Sequence, residues 1–266
     1  MPPASDAPPR VTVEREGHVL LIGLNRPEKR NAADLQLITE LALAYGTLHR
    51  DPGLRVGFLF AHGEHFTAGL DLADIAPRIG PRGLELVPEG GIDPWGLTGE
   101  RQRKPVVIAV QGSCLTLGIE LILACEIAVA SNSTRFGQIE VSRGILPFGG
   151  ATLRLPRAIG WGNAMRWMLT GDTFDAAEAH RSGLVQEVVA DGAQYTRGLA
   201  IAQRIAAQAP LAVQATLASA QLAVAEGDVA AAAALQSTLV ALIASEDAAI
   251  GMNAFLNRQS ATFIGR

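Results

Sequence analysis

Cysteine and aromatic residues are scarce in this chain of 266 residues, which holds two cysteines, three tryptophans, two tyrosines and eight phenylalanines. Cys114 and Cys125 lie in one apolar segment and form no C-x-x-C pair, so a disulfide framework and a zinc site are disfavoured and buried, reduced thiols are expected. Charged residues make up only 18% of the chain, and the net charge of −4 is spread along it rather than gathered in blocks. That pattern offers no footprint for nucleic acid or an anionic membrane surface, so neither partner is expected. The opening "MPPASDAPPR" lacks the basic start and apolar centre of a secretory signal; residues 1–10 read as a mobile tail and the expected location is cytoplasmic. Residues 229–245, "VAAAAALQSTLVALIAS", carry no charge, but their alanine, glutamine, serine and threonine make membrane insertion poor, and a packed helix is expected. His62 and His65 flank Glu64 in "HGEH", which is not H-E-x-x-H; solvated histidines are expected there, and no metal. The motifs of a serine nucleophile elbow and of a P-loop are also missing.

What is present is apolar: 48% of residues, more than a chain this size needs for one core, which points to an oligomer. "VTVEREGHVLLIGL" reads as two strands about a Glu-Gly turn. Leu35, Ile38, Leu41, Ala42, Tyr45 and Leu48 then recur at helical spacing up to Asp51-Pro52-Gly53, and "LRVGFLFA" follows as a buried strand. "PVVIAVQG", "LGIELILA" and "IAVAS" repeat strand, helix, strand, which favours parallel pairing. Beyond residue 190 the strand patterns cease, and three or four helices rich in alanine and leucine are predicted. Residues 75–104 are dense in glycine and proline and read as a surface excursion, either a wall or lid for a site or a mobile linker.

One carboxylate stands out. Glu120 is the sole ionisable acid in "CLTLGIELILAC", and burying it unpaired in a helix costs several kcal/mol, so it must be neutral, paired or facing a cavity.

Five ordered blocks carry a resemblance: "AHGEHFTAGLDL", "VVIAVQGSCLTLGIELILACEIAVA", "FGQIEVSRGILPFGGATLRLP", "LTGDTFDAAEAHRSGLVQEVV" and the closing "SEDAAIGMNAFLNRQSATF". Together they resemble the crotonase, or enoyl-CoA hydratase, superfamily over nearly everything after the first ten residues. The resemblance implies an α/β fold, a crotonase-like spiral of ββα units over residues 11–190 that binds CoA and the acyl group. A C-terminal helical region, residues 191–266, would mediate homotrimers or dimers of trimers. It implies a lyase that adds water syn to a 2-enoyl-CoA thioester through an enolate held by two backbone N–H groups, with no cofactor beyond the coenzyme A of the substrate.

By position the resemblance assigns those donors to Ala68 and Leu117, and places Glu120 and Glu140 on the two catalytic glutamates of hydratases. Glu140 would supply the proton to the α-carbon and Glu120 would hold and activate water. Ala68-Gly69 lets the backbone approach the thioester, with Leu70 beside it, and Asp71 is suited to cap the next helix. Many family members carry consecutive glycines where this chain has Thr116-Leu117-Gly118, so the Leu117 side chain should line the acyl pocket. Lys29 and Arg30, after the second strand, are candidates to meet CoA phosphates, an exposed turn being the other reading. Arg143, Arg154 and Arg157 read as subunit or local ion-pair residues. Two alternatives stand beside the hydratase: a Δ3,Δ2-enoyl-CoA isomerase using Glu140 alone, and a non-catalytic subunit that binds CoA thioesters.

Overall fold

The computed structural model describes residues 8–81, 83–84 and 86–266. The expected mobile tail falls mostly on residues 1–7, which lie outside the described residues. Pro8–Arg10 are tied down: the Arg10 N–H donates to Glu40 Oε2 at 2.7 Å, and its carbonyl accepts from Asn25 N at 2.7 Å.

The chain runs β1 (Val11–Glu16), β2 (Val19–Leu24), α1 (Leu35–Arg50), β3 (Val56–Ala61), a single-turn α2 (Leu72–Ile75), β4 (Val106–Val110), β5 (Ser113–Leu115), α3 (Leu117–Ala124), β6 (Ile127–Ser131) and β7 (Arg135–Gly137). It continues through α4 (Ala151–Ile159), α5 (Trp161–Thr170), β8 (Thr173–Asp175), α6 (Ala176–Ser182), β9 (Glu187–Val189), α7 (Gln194–Ala206), α8 (Pro210–Glu226), α9 (Asp228–Ile243) and α10 (Glu246–Leu256). One sheet has the order β1-β2-β3-β4-β6-β9, antiparallel only at β1/β2, and a smaller sheet has the order β5-β7-β8. The predicted α/β architecture with helices after residue 190 is the one observed.

Strand alternation divides the large sheet between two cores. Leu20, Ile22, Leu59, Ile108 and Val110 face the main core with the apolar stripe of α1, while Val19, Leu21, Val56, Phe58, Val107 and Ala109 face α7. Coverage on both faces explains why β2 and β4 read as unbroken apolar runs. Helix α1 starts where Asp34 Oδ1 accepts the N–H of Leu37 at 2.9 Å, an N-cap that satisfies a donor the helix itself cannot. Both cysteines are free; Cys114 is buried and Cys125 partly so, with Sγ 3.8 Å from Tyr45 Oη.

Two expectations need correction. Residues 76–104 are not merely a surface excursion: Ile92, Asp93 and Trp95 within them are buried, because Ile92 and Trp95 join the main core. Helix α9 packs on α8 but buries only Ala231, and Val229, Leu235, Leu239, Val240 and Ile243 face outward, as do Phe255 and Leu256 of α10. No single described helix is long and apolar enough to cross a membrane.

Phe58 is fully buried between the sheet and α7, edge-on to Tyr195 at 5.2 Å and stacked on Phe60 at 5.6 Å. Phe58→Ala should cost about 3–5 kcal/mol. Urea unfolding should show a lower midpoint at unchanged slope; a cost under about 1 kcal/mol would mean that α7 contributes little to the fold.

Candidate active site

A cavity of about 230 Å³ opens among the strand-like segment before α2, the start of α3 and the turn after β7, lined among others by Ala68, Leu70, Leu117, Glu120, Glu140 and Arg143. Its walls are mostly apolar, with Leu72, Leu86, Trp95, Ile139, Ile145 and Phe148 completing them. The sequence brought Glu120, Glu140, Ala68, Leu70 and Leu117 to one site, and all five line this cavity.

Residues 67–71 are held from both sides. On one side Thr67 N donates to Ser113 O at 3.0 Å and Leu115 N to Thr67 O at 3.1 Å. On the other, the segment after β2 grips them: Ala33 N donates to Gly69 O at 2.8 Å, Asp71 N to Ala33 O at 2.9 Å, and Thr67 Oγ1 to Asn31 O at 2.7 Å. Asn31 Nδ2 in turn reaches the carbonyls of His62 and His65 at 2.9 and 2.8 Å. His62 Nε2 sits 2.8 Å from Thr12 Oγ1, and His65 Nδ1 accepts from Ser113 N at 3.0 Å. Both histidines therefore work as local struts rather than as the solvated pair expected.

This pairing occupies one of the two expected backbone donors. The Ala68 N–H, the expected donor, is taken by the Arg30 carbonyl at 2.9 Å. Gly69 N donates to Thr67 Oγ1 at 3.1 Å. Leu70 N–H, two residues on, has no acceptor among the described residues and belongs to a residue that lines the cavity. Leu117 N–H, at the first position of α3, is likewise without an acceptor among them, as the opening turn of a helix leaves it. Thr116 just before it holds φ at 51°, a strained value for a β-branched residue, and Gly69 at φ 99° leaves the space its Oγ1 fills.

Asp71 also departs from expectation. Its side chain caps no helix N–H; it pairs with Arg26 Nη1 at 2.8 Å, which holds its carboxyl below the usual carboxylate range. Arg26 also lies 3.3 Å from Asp34, so one guanidinium joins the cap of α1 to the end of the cavity-lining segment. Lys29 and Arg30 are exposed and neither lines the cavity.

Glu120 is 3% exposed and Glu140 6%. Glu120 Oε1 accepts the Ala151 N–H at 3.1 Å, while Glu140 Oε1 accepts from Gln138 Nε2 at 3.3 Å. Glu140 Oε2 is buried and makes no hydrogen bond among the described residues. Burial, opposed by the Ala151 N–H and reinforced by the nearby Glu140 charge, pushes the Glu120 carboxyl up to about 7. Burial likewise pushes Glu140 up to about 7. Two acids near neutrality in one apolar cavity can share proton donor and acceptor duties at physiological pH.

The family model described as "Enoyl-CoA hydratase/isomerase" matches residues 14–266. The chain belongs to the enoyl-CoA hydratase/isomerase family. It is 37% identical over 215 residues to enoyl-CoA hydratase EchA19 of Mycobacterium tuberculosis, covering 79% of this chain and 80% of that protein. Among solved structures, a "probable enoyl-CoA hydratase/isomerase" of Mycobacterium abscessus superposes with TM-score 0.94 at 56% identity, covering 97% of this chain and 99% of that one. The enoyl-CoA hydratase of M. tuberculosis H37Rv superposes with TM-score 0.88 at 36% identity, covering 97% and 100%. These family members share the fold end to end, so the expected spiral architecture holds for this chain.

Sequence reasoning missed three contributors: Trp95 in an aperiodic segment, Gly149, and the Ala151 N–H that holds Glu120. The raised carboxyls have a consequence for stability. Each binds its proton more tightly in the folded chain, so between roughly pH 4.3, the unfolded value, and about 7 the native state holds extra protons and stability falls as pH rises. Glu120→Gln should therefore stabilise the chain by about 1–3 kcal/mol at pH ~8 and leave it nearly unchanged at pH ~4. Denaturant unfolding at both pH values checks this; an equal effect at the two contradicts it.

Proposed function

We propose that the chain is an enoyl-CoA hydratase that adds water across the double bond of a 2-enoyl-CoA thioester and catalyses the reverse dehydration. The observation that carries this reading is the pair of buried glutamates, Glu120 and Glu140, in one apolar cavity also lined by Leu70 and Leu117, whose N–H groups have no acceptor among the described residues. Water must be oriented and deprotonated, and the α-carbon must receive a proton; two carboxyls near neutral pKa supply both functions. Glu120 holds and activates the water, and Glu140, whose Oε2 has no hydrogen-bond partner among the described residues, gives the proton to the α-carbon. The Leu70 and Leu117 N–H groups stabilise the enolate oxygen, with Leu70 taking the role first expected of Ala68. The start of α3 adds the positive end of its dipole. This chemistry asks for no cofactor or metal beyond the coenzyme A of the substrate.

Glu120→Gln and Glu140→Gln should each lower hydration on the order of 10²- to 10⁴-fold, and the double variant should be scarcely worse than the poorer single one. Near-normal hydration by Glu120→Gln would remove Glu120 from the mechanism and favour a double-bond isomerase working through Glu140. Tight binding of enoyl-CoA with no turnover by the unaltered chain would favour a non-catalytic subunit.

The outward apolar side chains of α9 and α10 support assembly into homotrimers or dimers of trimers. Light scattering should give a multiple of three chains, and Phe255→Glu, at a position 80% exposed in the single chain, should shift the distribution toward monomers. A monomer in the unaltered protein would contradict this assembly.

A further inference from the structure

The segment between α2 and β4 has no regular structure around Trp95, yet it is fixed in detail. Asp93, itself buried, accepts the N–H groups of Trp95 and Leu97 at 2.9 Å and of Thr98 at 3.0 Å, and the Thr98 hydroxyl at 3.1 Å. Arg154 of α4 donates to the carbonyl of Trp95 at 2.6 Å and to that of Gly96 at 3.2 Å. The same helix, one turn earlier, supplies the Ala151 N–H that holds Glu120. Helix α4 thus joins the loop and the carboxylate through neighbouring positions on one face.

The Trp95 side chain completes the link. Its indole N–H donates to Leu117 O at 3.3 Å, in the first turn of α3, where Leu117 itself lines the cavity. Gly149 shows how closely the ring and the acid approach: a Cβ there would overlap Glu120 Oε2 and stand 3.1 Å from Trp95 Cδ1. Indole and carboxylate both crowd the Gly149 backbone, where no room is left for even a methyl group. The ring also lines the cavity and is 5% exposed.

We propose that Trp95 is a positioning and specificity residue: its indole shields one side of Glu120 from bulk solvent while the cavity side stays open to the reacting water, its N–H anchors the first turn of α3, and its ring limits how far an acyl chain extends beside Glu120. This rests on the hydratase reading. The charged groups around Glu120 are Glu140 in the turn after β7, which opposes its ionisation, and Arg154 of α4, which favours it; Arg143 lines the cavity farther along that turn. None of them shields Glu120 from solvent as an aromatic ring does. Removing the ring admits water and lets the acid ionise at lower pH.

The test uses the full chain with a short and a long unbranched 2-enoyl-CoA, following hydration against pH for the unaltered protein, Trp95→Ala and Trp95→Phe. Trp95→Ala should lower kcat on the short substrate on the order of 10-fold or more, move the acid limb of the profile down by about one pH unit, and raise the ratio of long- to short-chain kcat/KM. Trp95→Phe keeps an aromatic ring but loses the N–H and part of the indole's bulk, so it should restore most of the acid limb and of the chain-length ratio while kcat stays a few-fold low. If Trp95→Ala does not fold, Trp95→Leu should show the same shifts, reduced in size. An unmoved acid limb and an unmoved chain-length ratio in the smaller variant would overturn the proposal while hydration by the unaltered protein keeps the hydratase reading. Absence of hydration by the unaltered protein with every enoyl-CoA would overturn both.

Discussion

Glu120 is an acid inside an apolar helix, and the surrounding architecture makes that placement tolerable. Moving a carboxylate out of water without compensation costs far more than a fold of this size can spare, so the group either takes up a proton or is given donors. Both remedies are in place: the carboxyl sits near neutrality, and the Ala151 N–H meets one of its oxygens. Glu140, across the same cavity, has the same problem and a weaker remedy in Gln138. A pair of acids kept at the edge of ionisation is costly for stability at high pH, and that cost is the counterpart of being able to give and take protons at neutral pH.

The remainder of the site is backbone, and backbone can be aimed only by holding the chain on either side of it. The two segments that carry Leu70 and Leu117 are fixed by unlike means. Residues 67–71 lie between two neighbours, the segment after β2 and strand β5, with Asn31, Thr67 and Arg26 as side-chain ties. Leu117 is aimed by the strained backbone of Thr116, worth about 1–3 kcal/mol of strain, which is retained because Thr116 N donates to Gly137 O at 2.8 Å and its carbonyl receives Ile119 and Glu120. Glu140 follows Gly137 by one short turn, so the bond that fixes the second donor also sets where the second acid begins.

Much of this was legible in the sequence where one local signal decides the outcome. The period of α1, the apolar runs of β2, β3 and β4, and the lone acid in α3 each follow from burial acting on a short stretch. What was not legible depends on partners distant in sequence. That the Ala68 N–H is taken, while the Leu70 N–H has no acceptor among the described residues, follows from the Arg30 carbonyl lying on the Ala68 side of the strand, a fact of pairing and not of the motif. Asp71 has the side chain of a helix cap, but Arg26, placed nearby by the fold, competes for it and wins because a charge-assisted pair is stronger than a neutral N–H contact. Trp95 sits in a stretch with neither period, ordered by Asp93 and Arg154, so no pattern marks it. The outward face of α9 reads as core because apolar composition and periodicity do not say whether a face is covered by the same chain.

Hydration requires that water enter the product. Turnover of a short 2-enoyl-CoA in heavy-oxygen water and, separately, in deuterium oxide, with the product weighed by mass spectrometry, tests it most directly. The expected product is a 3-hydroxyacyl-CoA with one heavy oxygen on the β-carbon in the first solvent and one solvent deuterium on the α-carbon in the second. A product of unchanged composition with a displaced double bond, or unreacted thioester recovered intact, would contradict it.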